Sequence, residues 1–368
     1  MKVSLFANPS YLDKGVPGGW PVAPKHWDRE VGAASMAQAF EIYDMAHELG
    51  FDWLTVAEHH YVADLMGPNP LILAGALAHR YEDVTIAVLG ALAAFVNPVR
   101  LAEEFATVDA LSNGRLIAGV FPGTPNECLT YGANPEETRE RFREAVQLIA
   151  RAWTEPEPFW WEGRYFRFPV VSIWPRPVQT PRPPMLTSGT SPASAQFAGR
   201  HQIKLGLSFA APPERCAELV ALHRESALEA GWEPTQDDVL YRVRVHVADS
   251  DDEAERICRK YDIGNAISVM TPRPDRAEAW GRMMAAAAGR SGHRPPGPGA
   301  MPEFYGDPDT VARQILESAG IIGFGILDVT FGAHQLPLEH AVSSLELFGR
   351  EVLPRLQAVG DAGAERAA

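Results

Sequence analysis

Residues 84–120 read VTIAVLGALAAFVNPVRLAEEFATVDALSNGRLIAGV, and this stretch decides the fold. It opens on an apolar run over 85–89 and passes through Asn97-Pro98 into a helical pattern over 98–111. It leaves that pattern by Asn113-Gly114 and ends on a second apolar run over 116–120. Proline suits a first helical turn because its φ is already helical and its missing N–H would be unpaired there anyway. Asn-Gly supplies the tight turn out of the helix. Strand, helix and strand in this order make a βαβ unit, and therefore parallel strands.

The same alternation runs outward to both ends. Strands are expected at 3–7, 53–58, 85–89, 116–120, 185–188, 204–208, 240–247 and 326–331. Helices are expected at 35–49, 70–80, 98–111, 135–153, 192–200, 213–230, 251–261 and 309–318, with a closing one at 338–356. Eight strand–helix units predict an α/β fold, a (β/α)8 TIM barrel forming one domain over 1–358. Two stretches break the repeat. In about 154–184, after helix four, Phe159-Trp160-Trp161 and Tyr165-Phe166-Arg167-Phe168 flank Glu162-Gly163-Arg164, which reads as a hairpin insertion. About 264–306, after strand seven, is Gly- and Pro-rich at its centre and reads as a mobile insertion, either a lid or a solvated loop. The Ala- and Gly-rich stretch 359–368 reads as a disordered tail.

With 46% hydrophobic and 22% charged residues the chain has material for a sizeable core. A net charge of −14, from 47 acidic and 33 basic side chains with no basic run, argues against nucleic acid as a partner. The apolar run 84–96 is too short to span a bilayer, and 3–7 is too brief for a signal peptide, so a cytoplasmic protein is expected. Cys128, Cys216 and Cys258 lack a CxxC spacing, so neither a disulfide framework nor a metal site is expected.

Active sites of such barrels lie at the C-terminal strand ends. Strand two runs into Glu58-His59-His60-Tyr61; strand alternation would turn one histidine in and the other away, which disfavours a two-histidine metal site. A histidine there is either an acid–base group or a satisfied structural one. Gly90-Ala91-Leu92-Ala93-Ala94 after strand three would admit a flat ring or close helix packing. Arg139, near a helix start, could fork onto a phosphate or pair with a neighbouring glutamate. Thr187-Ser188-Gly189-Thr190-Ser191-Pro192-Ala193-Ser194 after strand five suits an anion at a helix N-terminus, or an ordinary N-cap.

Taken in order, Glu58-His59-His60-Tyr61, Asn97-Pro98-Val99-Arg100 through Ser112-Asn113-Gly114-Arg115, Tyr131-Gly132 with Arg139, Ser188-Gly189-Thr190-Ser191 and Gly306-Asp307-Pro308 resemble the bacterial-luciferase-like, flavin-dependent monooxygenase superfamily over most of the chain. The resemblance implies FMN across the strand ends, its phosphate at Thr190, Ser191 and Ser194 with help from Arg139, and Ser188 and Gly189 also among the cofactor-binding residues. It places Leu89-Gly90 where relatives carry a non-proline cis peptide beneath the ring, His59 as the acid or base near the flavin's reactive carbon, and Phe209 as an aromatic wall. Phe121-Pro122 stand where luciferases have a Cys-Arg pair, so one phosphate-binding arginine is absent. Also implied are reduced FMN (FMNH2) from a separate flavin reductase, dioxygen, a small organic substrate such as an aldehyde or ketone, and a homodimer through the helices after strands two and three. The alternatives are a deazaflavin-dependent dehydrogenase or reductase of the same fold, and a non-catalytic flavoprotein subunit.

Overall fold

The computed structural model describes residues 1–17, 19–207, 211–261, 303–332 and 336–365, with side chains through Val359. Among the described residues eleven strands are formed: β1 Lys2–Phe6, β2 Trp53–Val56, β3 Thr85–Leu92, β4 Leu116–Phe121, β5 Phe159–Glu162, β6 Arg167–Val171, β7 Met185–Ser188, β8 Ile203–Leu207, β9 Val239–Val247, β10 Glu303–Gly306 and β11 Ile326–Thr330. The parallel order β9-β11-β1-β2-β3-β4-β7-β8 closes on itself through β8–β9, giving the eight-stranded barrel. β10 pairs with β9 over Arg244 to Val247, past the stretch of β9 that pairs with β8. It occupies the end of the segment read as a mobile insertion; 262–302 lie outside the described residues.

Helices α1 Arg29–Glu48, α2 Pro70–Arg80, α3 Pro98–Leu111, α4 Pro125–Thr130, α5 Thr138–Thr154, α6 Pro192–Arg200, α7 Pro213–Glu229, α8 Asp251–Lys260 and α9 Pro308–Ile322 are followed by α10 Leu338–Leu347 and α11 Leu353–Glu365. Asn69, Asn97 and Asp307 cap α2, α3 and α9 by accepting first-turn N–H groups, with proline at the next position. α1 begins earlier than the apolar pattern suggests, because the Asp28 carboxylate accepts from the N–H groups of Glu30 and Val31. α11 runs to Glu365, into the stretch read as a tail; its alanines favour helix.

The insertion after α5 is the antiparallel β5–β6 pair, fastened to the barrel at two points. Glu144 on α5 accepts from Tyr165 N, Phe166 N and the Trp161 indole at 2.9–3.1 Å. Buried Asp109 on α3 accepts from Val178 N, Gln179 N and the Gln179 amide at 2.6–3.1 Å.

One core lies between strands and helices; a smaller one, Trp53, Ala87, Leu89, Ile117, Leu186, Leu240 and Ile326, fills the barrel interior. Above it the lining turns polar. Ser4 and Thr55 share a 2.6 Å hydrogen bond, and Asp328 pairs with Arg242 at 2.6 Å. Further along β9, His246 is 3% exposed and neither ring nitrogen has a partner among the described residues. Burial, with a smaller contribution from His340, pushes its pKa down to about 4. Below pH about 6.5 the unfolded chain therefore takes up a proton that the folded protein refuses. Stability is expected to fall by roughly 2–3 kcal/mol between pH 7 and 4 on this account. Urea midpoints of His246→Leu should show a correspondingly flatter pH dependence; parallel curves for the two proteins would refute it.

Candidate active site

β2 stops at Val56, two residues short of the expected end. The Asn8 side chain takes over from the ladder, donating to Ala57 O at 2.7 Å and accepting from Ala57 N at 2.9 Å. His59 N donates to Gly67 O, and the Trp20 indole donates to His60 O. Because the pleat has ended, strand alternation no longer separates the two histidines. Both face the segment after β4, which corrects the expectation that one turns away.

His60 belongs to a three-residue network. Buried Glu58 accepts from the Tyr131 hydroxyl at 2.6 Å and from Leu92 N at 2.9 Å, and lies 3.0 Å from His60 Nε2, which is 3.1 Å from the Tyr131 hydroxyl. Burial disfavours the His60 imidazolium, but the hydrogen bond to Glu58 and the charges of Glu127 and Glu58 outweigh it and the pKa is raised. Burial and Glu58 also push the Tyr131 phenol up, so it remains a donor. Phe95 stacks on Tyr131 with ring centroids 5.2 Å apart.

His59 faces a different carboxylate. Its Nδ1 lies 3.5 Å from Glu127 Oε1 on α4, and Glu127 is 1% exposed. His59 Nδ1 and Glu127 Oε2 are both buried without a hydrogen-bond partner among the described residues.

The peptide Leu89–Gly90 is cis. A Cβ on Gly90 would come within 2.3 Å of the Phe121 ring, and one on Gly119 within 1.8 Å of Val88 O. These two glycines let the Phe121 ring and the Val88 carbonyl pack directly on the β3 and β4 backbones. On the neighbouring strand β7, α6 starts after Ser188, Gly189 and exposed Thr190, with Ser191 and Ser194 engaged in a reciprocal capping box. Arg139 is exposed at the start of α5. One turn on, Arg143 donates to Ala193 O at 3.5 Å and lies over Phe197. Burial, then Arg139 and Arg200, lower the Arg143 pKa, as expected of crowded guanidinium groups that an anion would relieve. Phe209 lies outside the described residues. No group of His, Cys, Asp and Glu that could hold a metal occurs among those described.

The model of the luciferase-like monooxygenase family matches residues 16–323. The chain belongs to that family. As a member, it is 26% identical over 221 residues to the oxygenase component of the flavin-dependent trigonelline monooxygenase of Acinetobacter baylyi, covering 59% of this chain and 61% of that protein. It is 34% identical over 187 residues to the F420-dependent glucose-6-phosphate dehydrogenase of Intrasporangium calvum, covering 46% and 55%. The chain thus spans about half to three-fifths of the length of these curated relatives. Among solved structures, a monooxygenase from Streptomyces bottropensis superposes with a TM-score of 0.75 at 25% identity, covering 96% of this chain and 99% of the other. The oxygenating constituent of 3,6-diketocamphane monooxygenase from Pseudomonas putida, solved with FMN, gives 0.71 at 22%, covering 96% and 98%.

Of the residues singled out in the sequence, the structure places His59 just beyond β2 facing α4, buried Leu89 and Gly90 on β3 with Phe121 packed against Gly90, and Ser188 to Ser194 at a helix start. Sequence reasoning missed Glu127, the tie between His60 and Tyr131, and Arg143. Only Arg143 left a readable signal, lying four residues after Arg139 and so on the same helix face.

Proposed function

We propose that the protein is the oxygenase component of a two-component monooxygenase, using FMN in its reduced form, supplied by a separate flavin reductase, and dioxygen to oxidise a small organic substrate such as an aldehyde or ketone. The observation that carries this reading is the strand-end arrangement: two histidines, each facing a buried carboxylate, near the Leu89–Gly90 backbone on which Phe121 packs. The residues fit FMN. The ring would lie on Leu89, Gly90 and Phe121, and the phosphate at the Thr190–Ser194 turn. Ser191 and Ser194 are occupied with each other, which leaves Thr190 and the guanidinium groups of Arg139 and Arg143 to meet it. Arg143 thus substitutes for the arginine that Pro122 lacks.

Reduced FMN would supply the electrons for dioxygen. His59 exchanges a proton at the mouth, and the Glu58–His60–Tyr131 network holds the β2, β3 and α4 loops together. The apolar wall of Phe95 and Phe121 excludes water. Pairing of two copies through α2 and α3, where Ile72 and Leu111 are exposed, belongs to the same proposal. A second reading, hydride transfer with a deazaflavin, is favoured by the 34% identity to an F420-dependent dehydrogenase.

A charged hydrogen bond contributes about 1.5–3 kcal/mol. Arg143→Ala is therefore expected to weaken FMN binding roughly 10- to 100-fold in equilibrium titration. Undiminished FMN affinity in this variant, or none in the wild type, would refute the assignment of the phosphate site.

A further inference from the structure

We infer that Glu127 is the positioning residue of His59: it holds the ring proton on Nδ1, so that Nε2 is the nitrogen offered to the barrel mouth. The inference rests on reading His59 as the residue that exchanges a proton there.

His59 Nδ1 is buried without a partner and lies 3.5 Å from Glu127 Oε1, and the other oxygen of that carboxylate, Oε2, is buried and unpartnered among the described residues. Each alone is a buried group left unsatisfied, which costs about 1–3 kcal/mol, and such groups are rare. The 3.5 Å between Nδ1 and Oε1 is just beyond hydrogen-bond length, so a small ring rotation gives Nδ1 an acceptor on this carboxylate. Glu127 is fixed for this role. Asn126 Nδ2 donates to its Oε1 at 3.3 Å, and the Thr124 hydroxyl donates to the Asn126 side-chain oxygen.

The neighbouring charges leave Glu127 no other histidine to serve. Glu127 also faces His60, but His60 already has Glu58 and Tyr131. Glu58 in turn is taken up by Leu92 N, Tyr131 and His60. An ionised carboxylate only accepts, so it selects the Nδ1–H tautomer of a neutral ring and stays paired with the imidazolium. The proton balance is simple. Nε2 gains a proton from a bound group, or returns it; Nδ1–H stays in place and no proton passes to Glu127. Two acid–base units therefore stand side by side, one open to the mouth and one closed within the loops.

The test reads the ring directly in the cofactor-free protein. Long-range 15N–1H spectra of 15N-histidine-labelled protein, with His59 assigned by His59→Gln, are expected to show the Nδ1–H tautomer. Glu127→Met removes the acceptor and should shift His59 toward Nε2–H; Glu127→Gln keeps an accepting oxygen and should retain Nδ1–H. In turnover, Glu127→Met should lower kcat roughly 10- to 100-fold with KM within about twofold, and add little on top of His59→Ala. An Nε2–H tautomer in the wild type overturns the proposal whether or not the variants fold. So does an unchanged tautomer in a folded Glu127→Met. Because the tautomer is read without flavin, failure to bind FMN would sink the proposed function and leave this assignment standing.

Discussion

Asp328→Ala is expected to lower the free energy of unfolding by about 3–5 kcal/mol, because it strands a charged guanidinium inside the barrel. Asp328 is 0% exposed and Arg242 8%, and they meet at 2.6 Å across adjacent strands. Arg242 also lies 3.8 Å from the centroid of the Phe6 ring, so it has no path to solvent along that side. Asp328 pairs in register with Ser4 of β1 and Arg242 of β9, and the polar layer they form sits directly above the apolar filling of the barrel. Replacing both partners, as Asp328→Leu with Arg242→Met, should cost much less than the single change, since an apolar pair of similar volume leaves no orphan charge. Urea unfolding with an unchanged slope distinguishes the cases. A loss below about 1 kcal/mol for Asp328→Ala would mean that water screens the pair.

His59→Ala should leave the fold intact and reduce turnover by roughly two to four orders of magnitude, the usual contribution of a positioned acid–base group. The reason is local. The His59 backbone is held by Gly67, while its side chain makes no hydrogen bond among the described residues, so truncation removes chemistry and little packing. His60→Ala is the contrasting variant. It takes one member out of the buried network with Glu58 and Tyr131 and should lower thermal stability as well as activity. Equal melting losses for the two variants would contradict the division of roles between the histidines.

The elements that were legible in the sequence were those with their own punctuation. Helices 70–80, 98–111 and 192–200 begin and end where Asn or Ser before Pro placed them, because those residues satisfy the first free N–H groups locally. The C-terminal strand ends were less legible, since long-range contacts shape them. β2 ends at Val56 because a side chain from the end of β1 replaces its partner, and no periodicity within 53–60 reports that. The site carboxylates are paired across the fold, Glu58 with Tyr131 and Glu127 with His59, at separations that a local pattern does not encode. α4 carried a start signal at Thr124-Pro125 but is too short for an amphipathic pattern. The row Arg242, Arg244, His246 alternates with apolar residues along β9 and belongs to the barrel lining, a pattern that the strand's range alone did not bring out.

The most direct measurement is rapid mixing of the anaerobic complex of this protein and reduced FMN with oxygenated buffer, followed by flavin absorbance. The account predicts reoxidation in at least two resolved phases, the last slower than for free reduced FMN and altered by His59→Ala. A single phase at the free-flavin rate, unchanged in His59→Ala, would contradict it, and the contradiction would be complete if the protein bound a reduced deazaflavin in preference to FMN.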